Sequence, residues 1–252
     1  MAIDGVSVKD QGYEKAVNGI LREVGSKVDL LIRREGENFS VTVEYSRFAA
    51  QSVFAKMIGN YGYIEITSFN AESVAQFKNA VNLVREQGAK GLIFDLRGNG
   101  GGTVESVTQI LDFLMPEGVL MSVKYGNGKT ETYAKSDAEE IDLPMTVLID
   151  NQTASASELF SASVRDFNKG VLIGTKTYGK GVMQGTFGFT DGSASVFTIA
   201  EIFPHSGISF NGEGLSPDIE VELNDEQKIN FHILSDEKDP VKQAAIRWLS
   251  GE

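Results

Sequence analysis

The chain contains no cysteine. That excludes a thiol nucleophile, disulfides and thiolate metal sites, and leaves the redox compartment open. Only two histidines occur, His205 and His232, which argues against a histidine-rich metal centre. Positive charge is in deficit: 23 Lys and Arg face 35 Asp and Glu, for a net charge of −12. Such a chain is poorly suited to nucleic acid or to an anionic membrane surface. No apolar run approaches the roughly 18 residues of a membrane span, so the chain does not read as an integral membrane domain. No leader peptide, internal repeat or low-complexity tract is visible. What is present is ordinary for a globular protein. Its 252 residues, 41% hydrophobic and 23% charged, suffice for one sizeable core plus a small accessory module.

The most informative stretch runs from Thr153-Ala-Ser-Ala-Ser-Glu158 to Gly179-Lys180-Gly-Val-Met-Gln184. Ser155 precedes an apolar-periodic run, Leu159, Phe160, Ala162, Val164 and Phe167, which places it at a helix N-terminus. Ser155-x-x-Glu158 is, on its own, a capping box worth about 1 kcal/mol. Lys180 on its own is a solvated loop residue, since lysine is rarely buried. Together they allow more. Serine needs a neighbouring base to become a nucleophile. Lysine can be that base only when neutral, a form that burial favours. The short apolar segment Gly170-Val-Leu-Ile-Gly174 reads as a strand that could return the chain from the helix to Lys180. Flanking glycines let the backbone turn tightly there. If a strand continues through Val182, then Lys180, Val182 and Gln184 share a face. The Gln184 amide could then orient the lysine.

The remaining pattern is α/β: strands alternating with helices, with hairpins inserted. Strands are expected at Val53–Ile58, Tyr63–Thr67, Gly91–Leu96 and Met145–Ile149. Helices are expected from Asn70 to Gln87 and from Thr103 to Leu114. Hairpins turn at Gly126-Asn-Gly128 and Asp191-Gly192. The expected domains are 1–45, 46–223 and a helical tail, 224–252, ending on Val241–Leu249. Near the start, a helix is expected from Tyr13 to Glu23, with Ala16, Val17, Ile20 and Leu21 on one face and Gly25 as its stop. The strand pair Lys27–Arg33 and Asn38–Glu44 follows.

Arg97-Gly-Asn-Gly-Gly-Gly102 lies between a strand and a helix. Gly98-x-Gly100-x-x-Thr103 nearly fits a dinucleotide fingerprint, but the third glycine and any Gly-Lys-Ser/Thr are missing. A bent glycine loop can instead expose N–H groups to an oxyanion. A Ser-His-Asp set using His205 and Asp218 lacks the Gly-x-Ser-x-Gly elbow that would support it.

These motifs carry a resemblance. Thr-Ala-Ser-Ala-Ser-Glu, Gly-Thr-Lys-Thr-Tyr-Gly-Lys-Gly-Val-Met-Gln, Asp-Leu-Arg-Gly-Asn-x-Gly-Gly and Gly212-Glu-Gly-Leu-Ser-Pro-Asp218 together resemble the Ser–Lys carboxyl-terminal processing, or tail-specific, proteases. The family's usual proline is Gly100 here. The resemblance implies a serine endopeptidase cleaving proteins near flexible C-termini through an acyl-enzyme. Ser155 would be the nucleophile, Lys180 the base and Gln184 its orienting residue. Ala156 and either Gly101 or Gly102 would be the oxyanion donors. Ser157 and Lys176 match flanking positions. No cofactor is implied, and an extracytoplasmic setting is. Residues 1–45 resemble the second half of a PDZ module, whose carboxylate-binding half would precede Met1. A module of this fold that holds peptide tails without cutting them is the alternative expectation. Acyl-enzyme formation discriminates between the two.

Overall fold

A computed structural model describes residues 1–20, 22–46 and 50–252, without the side chains of Asn230 and His232. The chain divides into two units, Met1–Ala50 and Gln51–Glu252. In the first, strands β1 (Ala2–Ile3) and β2 (Val6–Ser7) form a small hairpin. Helices α1 (Val8–Gln11) and α2 (Tyr13–Asn18) follow, then β3 (Lys27–Arg34) and β4 (Glu37–Glu44). The sheet order is β2-β1-β3-β4. The β3–β4 turn is Glu35-Gly36, both at positive φ as a two-residue hairpin turn requires. Helix α2 is shorter than its apolar spacing suggests. It stops at Asn18 before Gly19, and its N-cap, Gly12, offers no side-chain cap. So short and uncapped a helix cannot offset the conformational freedom of a glycine. Gly25 therefore stops no helix, and Leu21 lies outside the described residues.

The second unit begins with β5 (Val53–Ile58), β6 (Tyr61–Ile66), α3 (Ala71–Glu86) and β7 (Leu92–Asp95). It continues with α4 (Val104–Leu114), β8 (Gly118–Tyr125), β9 (Thr130–Ser136) and β10 (Met145–Ile149). Then come α5 (Ala156–Asp166), β11 (Gly170–Gly174), β12 (Val182–Gly188), β13 (Ala194–Pro204) and β14 (Ile219–Glu220). It ends with α6 (Asp225–Asn230) and α7 (Pro240–Ser250). The main sheet runs β14-β11-β10-β7-β6-β5, parallel throughout except for β5 at its edge.

The strand order is monotonic, and crossovers between parallel strands are right-handed. The connecting helices α3, α4 and α5 therefore all lie on one face, over Leu92, Phe94, Met145 and Val147. Helix α7 covers the other face, where Val241, Ala244 and Ala245 pack on Tyr63, Ile93, Leu148 and Ile173. Strand alternation sorts these side chains to the two faces. Residues 224–252, expected as a tail, thus cluster with the second unit. The two hairpins join into one further sheet, β12-β13-β8-β9, through antiparallel pairing of β13 with β8.

Candidate active site

Strands β7 and β10 are parallel neighbours, so their C-terminal ends open on one edge of the sheet. The glycine loop leaves the first and the turn leading to Ser155 leaves the second. Hydrogen bonds stitch them together. The Thr153 hydroxyl donates to the Leu96 carbonyl at 2.9 Å, and the Ala154 N–H to the Asn99 carbonyl at 3.1 Å. The Gly98 N–H donates to both Asp150 carboxylate oxygens at 3.1 Å. Asn99 is fully buried. Its Nδ2 donates to the Ile66 carbonyl at 2.7 Å and its Oδ1 accepts from the Gly101 N–H at 2.8 Å.

Ser155 sits directly before α5 at φ 59°, ψ −117°. Among the described residues three other non-glycines have positive φ, Asp4, Glu35 and Asn168, all in turns. A serine held in this region costs about 1–3 kcal/mol, which the surroundings must offset. Part of that support is α5 itself. Phe160 packs edge-on to Phe94 at 5.1 Å and against Phe77 and Phe69, seating the helix on the sheet. The loop opposite is equally constrained. A Cβ added to Gly101 would lie 3.0 Å from both Ser155 Cβ and the Ala156 nitrogen. One added to Gly102 would lie 1.9 Å from the Phe69 carbonyl oxygen. Only glycine lets the loop approach this closely, which accounts for Gly101 and Gly102 without a nucleotide. Ala156 is the first residue of α5, so its N–H belongs to the set without an intrahelical acceptor. Ser155→Gly is expected to be about 1 kcal/mol more stable than Ser155→Ala, since only glycine relieves the strain. The denaturant midpoints of the two variants measure this, and equal midpoints would mean the position is unstrained.

Glu158 organises the lysine side. Its carboxylate is fully buried. Oε1 accepts from the Thr177 hydroxyl at 2.6 Å and the Gly179 N–H at 2.7 Å. Oε2 accepts from the Ser155 N–H at 2.9 Å and the Lys180 N–H at 2.8 Å. One oxygen thus holds the backbones of both Ser155 and Lys180, no farther apart than those two bonds laid end to end. From outside, the Gly212 N–H donates to the Gly179 carbonyl at 2.8 Å, and the Gly181 N–H to Asn211 Oδ1 at 3.1 Å. The closing Gly212–Asp218 stretch therefore clamps the Lys180 turn. Sequence reasoning missed Thr177, Asn99 and Asn211. It saw Glu158 only as a helix cap.

The other expected residues fall as follows. Ser155 and Lys180 are both half-buried, with access to solvent. Gln184 is exposed, and a β-bulge separates it from Met183. Met183 pairs with Ala200 and Gln184 with Thr198, so the extra residue, Ile199, is on β13, while Lys180 itself precedes β12 and lies outside its alternation. No hydrogen bond joins Gln184 and Lys180 among the described residues. Ser157 is buried with its hydroxyl unpartnered, and Lys176 is exposed. His205 stacks on Phe167 at 4.0 Å between centroids, with its Nδ1 3.0 Å from the Val119 carbonyl. Asp218 instead accepts from the Leu172 N–H. The Arg97 guanidinium makes no direct hydrogen bond to the glycine loop among the described residues. It turns beneath the sheet edge to Asp95 and Asp239.

The geometry agrees with what the chain is similar to. It is 32% identical over 232 residues to the carboxy-terminal processing protease CtpA of Bacillus subtilis, covering 91% of this chain and 50% of that protein. It is 29% identical over 231 residues to a probable CtpA-like serine protease of Staphylococcus saprophyticus, covering 90% and 47%. The chain spans about half the length of these relatives. Among solved structures, the photosystem II D1 C-terminal processing protease matches with a TM-score of 0.63 at 25% identity, over 88% of this chain and 62% of that one. A putative S41 protease from Bacteroides fragilis matches in fold, with a TM-score of 0.69 at 19% identity, over 100% and 72%. Residues 60–221, which carry the glycine loop, the Ser155 turn and the Lys180 turn, match Peptidase family S41, and the chain belongs to that family.

Proposed function

We propose that this chain is a serine endopeptidase of the carboxyl-terminal processing type, working through a Ser155–Lys180 dyad. The observation that carries the reading is the single Glu158 oxygen that gathers the Ser155 and Lys180 backbones beside the glycine loop. Ser155 Oγ attacks the scissile carbonyl while the neutral Lys180 amine takes its proton. The oxyanion is held by the Ala156 N–H and a glycine N–H, in the field of the α5 N-terminus. Gly101 already donates its N–H to Asn99, so it serves only if that bond opens, whereas Gly102 carries no such commitment to Asn99. Lys180 returns the proton to the leaving amine, which departs and leaves Ser155 acylated. Water then attacks the ester and releases the acid. Gln184 is read as the residue that orients the lysine. The substrate is a protein or peptide with a flexible C-terminus, met in an extracytoplasmic compartment. No helix among the described residues is long and apolar enough to cross a membrane. Residues 1–45 are read as a partial PDZ-like segment.

An activated peptide ester tests the dyad directly. Rapid quenching and mass spectrometry should find the acyl group on Ser155 in the parent chain and none in Ser155→Ala. A parent chain that binds the peptide and never acylates would instead make it a tail-binding module.

A further inference from the structure

We infer that Asp239 is a positioning residue for the glycine loop, which makes the C-terminal helix part of the catalytic framework. Its carboxylate is fully buried and does two things at once. It caps α7, accepting from the Val241 and Lys242 N–H groups at 3.0 and 3.3 Å. It also accepts from Arg97 Nη1 at 3.2 Å and Nη2 at 2.8 Å. Arg97 meanwhile donates Nε and Nη2 to Asp95, and its own backbone N–H bonds Asp95 Oδ1 at 3.1 Å. The Tyr63 hydroxyl supports Asp95 at 2.8 Å. Lys242, also buried, lies 3.1 Å from Asp236 and 3.9 Å from Asp239. Every charge in this cluster thus meets an opposite one.

Arg97 is the residue before Gly98, at the root of the glycine loop. Both carboxylates hold its guanidinium in a planar fork, which restrains the backbone it extends from. From the other side Gly98 and Asn99 are bonded to Asp150 and Ala154. The loop root is therefore gripped between α7 and the Ser155 turn. Without Asp239 the grip becomes one-sided, and the loop N–H groups lose register with Ser155. A misplacement of about 1 Å in such a site costs roughly 100-fold in rate. This catalytic consequence rests on the Ser–Lys reading above; the tether does not.

The variant Asp239→Asn separates the roles, because asparagine caps a helix as well as aspartate does but cannot hold the guanidinium fork by charge. Amide hydrogen exchange should speed up by about tenfold or more at Gly98–Gly102 while the interior of α7 stays protected. Acylation of Ser155 by the ester should fall by about 100-fold with KM little changed. Arg97→Lys, which keeps the charge and loses the fork, should do the same. Loop exchange within about twofold of the parent in a folded variant would overturn the inference, as would equal loosening of loop and helix. Should neither variant fold, native-state exchange of the parent decides. The loop amides and the Val241 and Lys242 amides should open as one unit, and independent opening would count against the tether. A parent chain inert to the ester sinks the dyad alone, since the exchange arm still reads the tether.

Discussion

Lys180→Arg is expected to abolish acylation of Ser155 while leaving the fold intact. Arginine keeps the positive charge and a comparable reach, so any role in binding or charge balance survives. It cannot give up its proton, so it cannot accept one from the serine. Lys180 is half-buried on a turn fixed by its own N–H, not by its side chain, so the exchange removes no described support of the fold. The loss in acylation rate should be about 10⁴-fold, the scale seen when one member of a nucleophile–base unit is removed. Ser155→Ala should cost a similar factor, and the double variant little more, because the two act as one unit. Burst kinetics with the activated ester measure all of this. An arginine variant that acylates at a tenth of the parent rate or better would mean another base.

The second large effect is expected at Glu158. Its two oxygens accept four hydrogen bonds, all from groups that must stay where they are. Glutamine has nearly the same shape, but its Nε2 end carries only donors and would face groups that also donate. At least one pair of buried donors is then left unsatisfied, at about 1–3 kcal/mol for each group. Glu158→Gln should therefore lower stability by roughly 3 kcal/mol. It should also slow acylation by about 100-fold, because Ser155 and Lys180 lose their shared anchor. The stability loss should appear equally in a Ser155→Ala background, where no chemistry is possible. Full acylation in a folded Glu158→Gln chain would show that the dyad is aligned by other means.

Much of this site was legible in the sequence, and the exceptions have a common physical origin. The start of α5, the glycine loop and both hairpins are announced by local signals: capping residues, apolar period and turn dipeptides. Glu158 was visible too, but its spacing from Ser155 has a complete local explanation as a helix cap. Its other partners, Thr177, Gly179 and Lys180, lie 19 to 22 residues on, where no periodicity points. The bulge after Met183 depends on how β12 pairs with β13, so alternation read from one strand could not find it. The early end of α2 is a contest between apolar spacing and a single glycine, and spacing alone does not weigh the two. Arg97 shows the same limit at longer range. Its partner Asp239 lies 142 residues on, where no local signal points.

That last separation has a bearing on synthesis. Asp239 follows Arg97 by 142 residues, and β13, which joins the two hairpins, also comes late. A chain emerging from the ribosome can build β5, β6, β7 and their helices early, since those contacts are close in sequence. It cannot neutralise Arg97 from both sides until nearly its last helix has been made. A chain that stops short of α7 holds the Ser155 turn, the Lys180 turn and a glycine loop whose Arg97 guanidinium lacks the Asp239 carboxylate. On the Ser–Lys reading, competence to acylate therefore waits until α7 has been made and docked.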